Sequence, residues 1–247
     1  MGKLPRILSL EGLFMLQVIL AAPVLCGNVL IWPTEASHWL NIKNIIDELT
    51  MRNHSVTVLI STGAAYVNDN DKILENYEFY QVNYEKKFTL SIIDDFVKLW
   101  MFEKPNMNFL QFYKRLMELA IEINVMIKEN CDAVLKNAEL MAKLTSSQFS
   151  LLLSDPVAAC GDLIAMKLGI PFMYSLRFTP ASAAERYCGQ LPSVPSYTPA
   201  FLSELTDTMS FSERFWNVVS YVIQDYIFYK LWSEWDSYYS GMLGKHF

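Results

Sequence analysis

Long hydrophobic runs, basic stripes and low-complexity segments are all missing from this sequence of 247 residues. No apolar run approaches the ~20 residues that a transmembrane helix needs. Lys and Arg number 20 against 26 Asp and Glu, and without a basic stripe to offset the net charge of −6 no nucleic-acid partner is expected. Only 9 Gly and 10 Pro exclude collagen-like chains, and 52% hydrophobic residues exclude intrinsic disorder.

Cysteine and histidine are scarce, with 4 and 3 residues. No CxxC pair occurs, so we expect no zinc site and assign no metal ligands. Cys131, Cys160 and Cys188 lie beyond the first 26 residues, and an odd number cannot all pair within the chain. We expect these cysteines to be mostly buried small hydrophobic residues.

Several enzyme fingerprints are also absent: GxGxxG after the first predicted strand, GxxxxGK[ST], GxSxG and HExxH. Their absence disfavours a standard NAD enzyme, a P-loop enzyme, a lipase and a zinc protease.

Residues 1–26 have the pattern of a secretory signal peptide. Lys3 and Arg6 give a positive start, Leu13 to Leu25 is almost wholly apolar, and Val24 and Cys26 are small enough to flank a cleavage site. The alternative is an N-terminal core strand or helix. A signal peptide would direct the chain to the lumen of the endoplasmic reticulum.

Beyond this segment, strand and helix patterns alternate. The helix that begins at Ser37 has apolar residues at i, i+3, i+4 and i+7, and a helical pattern from Ile92 to Thr145 breaks at Pro105. The predicted strands are Asn28 to Trp32, Val56 to Ile60, Tyr77 to Val82, Phe149 to Leu153 and Ile170 to Ser175. Strands that are apolar throughout are typical of a parallel sheet. We therefore predict an α/β fold, one Rossmann-like parallel sheet with flanking helices, in a single domain of residues 27–247.

The remaining segments are two predicted loops, Thr62 to Asn76 and Thr179 to Pro199, and an aromatic helix from Phe211 to Leu243. The helical wheel predicts a stripe that packs on the sheet: Phe215, Val219, Val222, Tyr226 and Tyr229. Other aromatic residues would then remain on outer faces: Tyr221, Phe228 and Trp232. Such a surface predicts contact with a membrane or another protein, although the tail could instead fold back as core.

Two residues stand where such a fold does chemistry. His38 follows the first strand at the start of a helix, and Asp155 follows the fourth strand. Ligands bind beyond the carboxyl ends of parallel strands, so both should face one crevice. A neutral imidazole can act as a general base, and a carboxylate on its other nitrogen would fix the tautomer. The alternatives are a structural histidine at a helix start and a turn-forming aspartate before proline.

Four segments resemble UDP-glucuronosyltransferases, most closely their 2A-like subfamily, over nearly the whole chain. They are GNVLIWPTEASHWLNIKNIIDEL from Gly27, RNHSVTVL from Arg52, LLLSDPVAACGDLIAMKLGIPFMYSLRF from Leu151 and PSYTPAFLSELTDTMSF from Pro195. The resemblance implies the N-terminal, acceptor-binding domain of a GT-B glycosyltransferase.

The resemblance also implies roles for residues. His38 of SHW would be the catalytic base and Asp155 of SDP its partner. The implied reaction is inverting transfer of glucuronic acid from the co-substrate UDP-glucuronic acid to a hydroxyl of a small lipophilic acceptor, without a metal or a cofactor bound by this chain. Trp39, Trp100 and Phe112 are predicted acceptor-pocket walls, with ordinary core packing as the alternative for each.

The chain departs from the family pattern after Leu243-Gly244, where the family's donor domain and membrane-spanning helix would follow. This predicts either an enzyme domain that needs its second half or a truncated, inactive form that joins and modulates full-length members at the luminal membrane face. An independent hydrolase is disfavoured because no positioned Ser or Cys nucleophile is found. Asn53 heads the sequon Asn53-His54-Ser55 and is predicted either to carry a glycan or to end the preceding helix.

Overall fold

The computed structural model describes residues 26–65, 77–177 and 181–244. One five-stranded sheet forms the centre, with all neighbouring strands parallel. Its strands are β1 (Asn28–Trp32), β2 (Ser55–Ser61), β3 (Tyr77–Tyr80), β4 (Leu151–Ser154) and β5 (Phe172–Tyr174), in the order β3-β2-β1-β4-β5. The predicted Rossmann-like α/β fold is confirmed. The strand order reverses between β1 and β4, which is where such sheets open a ligand crevice.

Helices flank this sheet on both faces. They are α1 (Ser37–Met51), α2 (Lys86–Lys98), α3 (Phe109–Leu135), α4 (Ala138–Ser146), α5 (Gly161–Leu168), α6 (Ala183–Gly189) and α7 (Phe211–Leu243). A π-helical turn (Leu99–Glu103) and a 3-10 turn (Lys104–Asn106) separate α2 from α3 and contain the predicted break at Pro105. Among the helices of the described ranges, none combines the length and the hydropathy needed to cross a bilayer.

The core lies on both faces of the sheet because alternate residues of each strand point to opposite sides. Val29 and Ile31 pack on one face with the buried side of α1. Leu30 and Trp32 pack on the other face with residues of α3, α4, α5 and α7. A strand buried on both faces explains why β1 reads as a continuous apolar run.

The cysteine prediction holds for burial, since Cys131 and Cys160 are fully buried, but it missed that these two form a pair. Cys131 on α3 and Cys160 at the start of α5 form a disulfide, with Cα atoms 5.7 Å apart. The two cysteines are 29 residues apart in sequence and meet only because α3 and α5 pack on the same face of the sheet. Cys188 is half-buried, and burial together with the nearby Asp162 and Glu185 charges raises the pKa of its thiol to about 11.

The predicted inner stripe of α7 was also wrong. Phe215, Val222, Tyr226 and Tyr229 are exposed, whereas Tyr221 is buried. The exposed residues belong to an outer stripe at helical spacing: Phe211, Phe215, Val218, Val222, Tyr226 and Tyr229, each between 47% and 89% exposed. The inward face of this part of the helix is polar instead. Asn217 and Gln224 on that face form hydrogen bonds with the irregular segment that precedes the helix.

That segment differs from prediction as well, since residues 183–189 of the expected loop form helix α6. The signal peptide, apart from Cys26, and most of the predicted 62–76 loop lie outside the described residues.

Candidate active site

The turn after β1 places His38 at the carboxyl edge of the sheet. Ala36, just before α1, has φ 58° and ψ −132°, a conformation that favours glycine and costs other residues about 1–3 kcal/mol. This turn directs the chain sharply from β1 into α1. His38 is the second residue of the helix, and its side chain is 14% exposed.

Asp155 follows β4 directly and reaches the same edge. Its Oδ2 lies 2.6 Å from His38 Nδ1, and its side chain is only 3% exposed. The other carboxylate oxygen accepts a hydrogen bond from Val157 N at 2.9 Å. Because an ionised carboxylate only accepts, the short contact fixes a proton on Nδ1 and presents Nε2 as the basic nitrogen. The predicted meeting of these two residues is therefore observed.

The segment after β5 clamps the start of α1. Arg177 donates from Nη1 to Ser37 Oγ at 2.8 Å, and Asn41 Nδ2 donates to Ser175 Oγ at 3.1 Å. The backbone of Arg177 is held in turn, since its N–H donates to the buried carboxylate of Glu185 at 2.7 Å. These contacts fix the helix turn that carries His38.

A polar cluster borders the other side of this turn. Glu35 Oε2 accepts from Ala65 N at 3.1 Å and so ties the turn after β1 to the turn after β2. Tyr80 and Tyr84 both donate to Asn130 Oδ1, at 3.3 and 2.7 Å. Burial, then the charges of Tyr84 and Glu35, raise the pKa of Tyr80 well above its ordinary value, so its hydroxyl stays protonated.

The three residues predicted as acceptor-pocket walls fall into two places. Trp39 is buried in the core between α1 and the sheet. Trp100 and Phe112 pack edge to face, with ring centroids 5.4 Å apart, in a separate cluster that α2 and α3 form with the middle of α7. The amine of Lys104 lies 4.1 Å from the centre of the Trp100 ring. Their contact with an acceptor stays a prediction.

Asn53 is exposed and has φ 63°, the left-handed conformation expected of a residue that ends a helix. Its backbone N–H bonds Thr50 O at 2.9 Å. The helix-ending prediction is confirmed, and the glycan stays a prediction.

Sequence reasoning missed the clamp residues Ser37, Asn41, Ser175, Arg177 and Glu185. A signal did exist for two of them, because Ser175 and Arg177 directly follow a predicted strand at the edge where ligands bind. Glu185 had no such signal, since it lies in a segment predicted as loop.

The family described as "UDP-glucoronosyl and UDP-glucosyl transferase" matches residues 27–247. UDP-glucuronosyltransferase 2A1 from Homo sapiens is 51% identical over 233 residues, which are 94% of this chain and 44% of that protein. UDP-glucuronosyltransferase 2A1 from Rattus norvegicus is 50% identical over 234 residues, which are 94% of this chain and 44% of that protein. UDP-glucuronosyltransferase 2A2 from Homo sapiens is 50% identical over 233 residues, 93% of this chain and 43% of that protein.

The chain thus spans less than half the length of these curated relatives. Among solved structures, a double variant of Os79 from O. sativa in complex with UDP aligns with a TM-score of 0.40 and 12% identity, over 68% of this chain and 33% of that chain.

Proposed function

The chain belongs to the UDP-glucuronosyl and UDP-glucosyl transferase family, and we propose that it supplies the acceptor site and the catalytic base of a glucuronosyltransferase. The proposed reaction transfers glucuronic acid from UDP-glucuronic acid to a hydroxyl of a small lipophilic acceptor. The proposed context is the N-terminal domain of a GT-B enzyme whose second domain binds the donor. Activity therefore belongs to the longer protein.

The 2.6 Å contact between His38 Nδ1 and Asp155 Oδ2 carries this proposal. It joins a helix-start histidine to a buried carboxylate at the edge of a parallel sheet where ligands bind. Asp155 would hold the ring in one tautomer and stabilise the cation that forms when Nε2 takes up a proton.

The chemistry follows from these roles. His38 Nε2 removes the proton of the acceptor hydroxyl while the oxygen forms a bond to the anomeric carbon of the donor. The bond between that carbon and the phosphate oxygen breaks, and UDP leaves with the electron pair. Because attack comes from the face opposite UDP, an α-linked donor gives a β-glucuronide.

Removing the base tests the proposal. Residues 27–247 are joined to the part of the Homo sapiens 2A1 protein beyond the matched region, and turnover is measured with a phenolic acceptor. His38→Ala should lower turnover about 10²- to 10⁴-fold because proton removal is lost, while acceptor binding persists. Asp155→Asn should be impaired severely, since an amide cannot stabilise imidazolium equally.

His54→Ala is the matched control. His54 Nδ1 accepts a hydrogen bond from Gly27 N at 2.9 Å, away from the dyad, so this variant should keep parental turnover. Turnover of His38→Ala within tenfold of the parent would remove His38 from the mechanism.

A second proposed role is association with other family members or with the luminal membrane face of the endoplasmic reticulum. The outer stripe of α7 favours it, because six large apolar side chains in helical register face outward. The signal-peptide pattern of residues 1–26 supports the luminal location. This role needs no turnover by the chain itself.

A further inference from the structure

The loop between Asp155 and α5 is held by groups outside the dyad. Trp32 Nε1 donates to Ala159 O at 3.1 Å, and Cys160 N donates to the hydroxyl of Tyr239 at 3.2 Å. Cys160 is also joined to Cys131 on α3 through the disulfide. The last two of these ties come from α7 and α3.

The end of this loop has a strained backbone. Cys160 precedes α5 with φ 90° and ψ −25°, a left-handed conformation that non-glycine residues keep only where their surroundings enforce it. The next residue is glycine for a steric reason, because a Cβ on Gly161 would lie 2.6 Å from Ser154 Cβ. The loop therefore closes tightly on the end of β4, directly beside Asp155.

Tyr239 bonds the strained residue itself and the first turn of the helix that follows it. Its hydroxyl accepts from Cys160 N and donates to Asp162 Oδ1, in the first turn of α5, at 2.6 Å. Burial, then the charge of Asp162, raise the pKa of Tyr239 above its ordinary value, so the hydroxyl keeps the proton that it donates. Helix α7 is thereby hydrogen-bonded to the end of the loop that follows Asp155.

We propose that Tyr239 is a positioning residue for the His38–Asp155 pair, acting through Cys160 and the loop of residues 156–160. The inference rests on the proposed function of that pair. Asp155 accepts from Val157 N and its carbonyl accepts from Ala158 N at 3.0 Å, so the carboxylate moves with this loop. Release of Cys160 N would let the loop open and weaken the contact to His38.

The neighbouring tyrosine provides a matched control. Tyr238 donates to Asp132 Oδ1 at 2.6 Å, the same bond length that Tyr239 makes to Asp162. Asp132, however, lies within α3 rather than on the Asp155 loop. Tyr238→Phe and Tyr239→Phe thus each delete a hydroxyl and its bond to an aspartate, but only Tyr239→Phe also removes the bond from Cys160 N.

The test follows the ring proton of His38 in the full chain, labelled with ¹⁵N-histidine in a His246→Gln background. His54 Nδ1 accepts a hydrogen bond, so a carboxylate-bonded Nδ1–H signal belongs to His38, and its loss in His38→Gln checks that assignment. Exchange of this proton with solvent is measured together with the thermal midpoint of unfolding.

We expect Tyr239→Phe to exchange this proton about fivefold faster than the parent, because a loop hydrogen bond is lost. Tyr238→Phe should exchange it at the parental rate, although it too lowers the thermal midpoint by the loss of a hydrogen bond. Equal exchange rates in the two variants would overturn the positioning role alone. A parental chain without the carboxylate-bonded Nδ1–H signal would overturn the dyad and, with it, the positioning role.

Discussion

The two parts of helix α7 use their faces in opposite ways. Residues 230–243 bury Trp235 in the core, and Trp232, Tyr238 and Tyr239 pack around it. Residues 211–229 instead bury two polar side chains, Asn217 and Ser220, beside the ring of Tyr221, and they expose the outer stripe. One continuous helix therefore turns aromatic side chains inward at its end, whereas at its beginning it turns polar side chains inward and most of its large apolar ones outward.

The inversion has a cause in the segment before the helix. Asn217 donates from Nδ2 to Pro195 O and Thr198 O, and its Oδ1 accepts from Ala200 N at 2.6 Å. Gln224 Nε2 donates to Phe201 O at 2.7 Å. This irregular segment has no sheet ladder to satisfy its backbone, so the helix supplies polar partners. Which face of α7 turns inward therefore depends on the groups that the face contacts.

Trp235→Ala should give the largest loss of stability. It removes a buried ring and the bond from Trp235 Nε1 to Asn124 Oδ1, so we expect a loss of about 3–5 kcal/mol in the free energy of unfolding. Phe215→Ala, on the outer stripe, should change it by less than about 0.5 kcal/mol. Urea unfolding of both variants measures the difference, and equal losses would show that both parts of α7 are buried alike in solution.

Asn217→Ala should give the next largest loss, about 2 kcal/mol in the free energy of unfolding. It leaves buried backbone groups of the preceding segment without their hydrogen-bond partner. Limited proteolysis should then cut between residues 190 and 209 sooner than in the parent. Asn44→Ala is the control, since its amide bonds only an exposed carbonyl of its own helix. An Asn217→Ala variant as stable and as protease-resistant as this control would refute the polar inward face.

The sequence predicts strand β1 correctly but predicts the wrong inward face for the first part of α7. Strand β1 reads correctly because a strand buried on both faces must be apolar throughout. The wheel of α7 fails because it assumes that the apolar side faces the core, and no local pattern reveals that the segment before it needs hydrogen-bond partners.

The candidate site shows the same limit. His38 and Asp155 could be paired in advance because each directly follows a strand of one parallel sheet. The disulfide and the hydrogen bond from Arg177 to Ser37 could not be predicted, because they depend on how α3, α5 and the segment after β5 pack.

Tyr238→Phe should have a smaller effect that depends on pH. Burial raises the pKa of Asp132, but hydrogen bonds from Lys136 and Tyr238 outweigh it and hold that pKa below its ordinary value of 3.8. A lowered carboxyl pKa stabilises the fold above the unfolded-state value, and this stability is lost as pH falls through the folded-state value. At pH 7 we expect Tyr238→Phe to cost about 1 kcal/mol.

The gap between parent and Tyr238→Phe should therefore narrow when the pH drops below about 4, as Asp132 becomes protonated. Urea midpoints at pH 7, 5 and 3 measure it. A gap that stays constant across this range would mean that the Tyr238 hydroxyl does not act through the charge of Asp132.

Val222→Glu should change stability least, because its side chain already lies in solvent on the outer stripe. Its effect should instead fall on association, since a charge in the middle of an apolar stripe opposes both lipid insertion and protein docking. The full chain is mixed with phosphatidylcholine vesicles and floated, and its oligomeric state is followed by sedimentation. We expect the parent to bind vesicles or self-associate and Val222→Glu to do neither. Ser237→Glu, an exposed position eight residues beyond the last residue of the stripe, should behave as the parent. A parent that stays monomeric and vesicle-free would show that the outer stripe binds neither lipid nor a second copy, and the two parts of α7 would then differ only in how they pack.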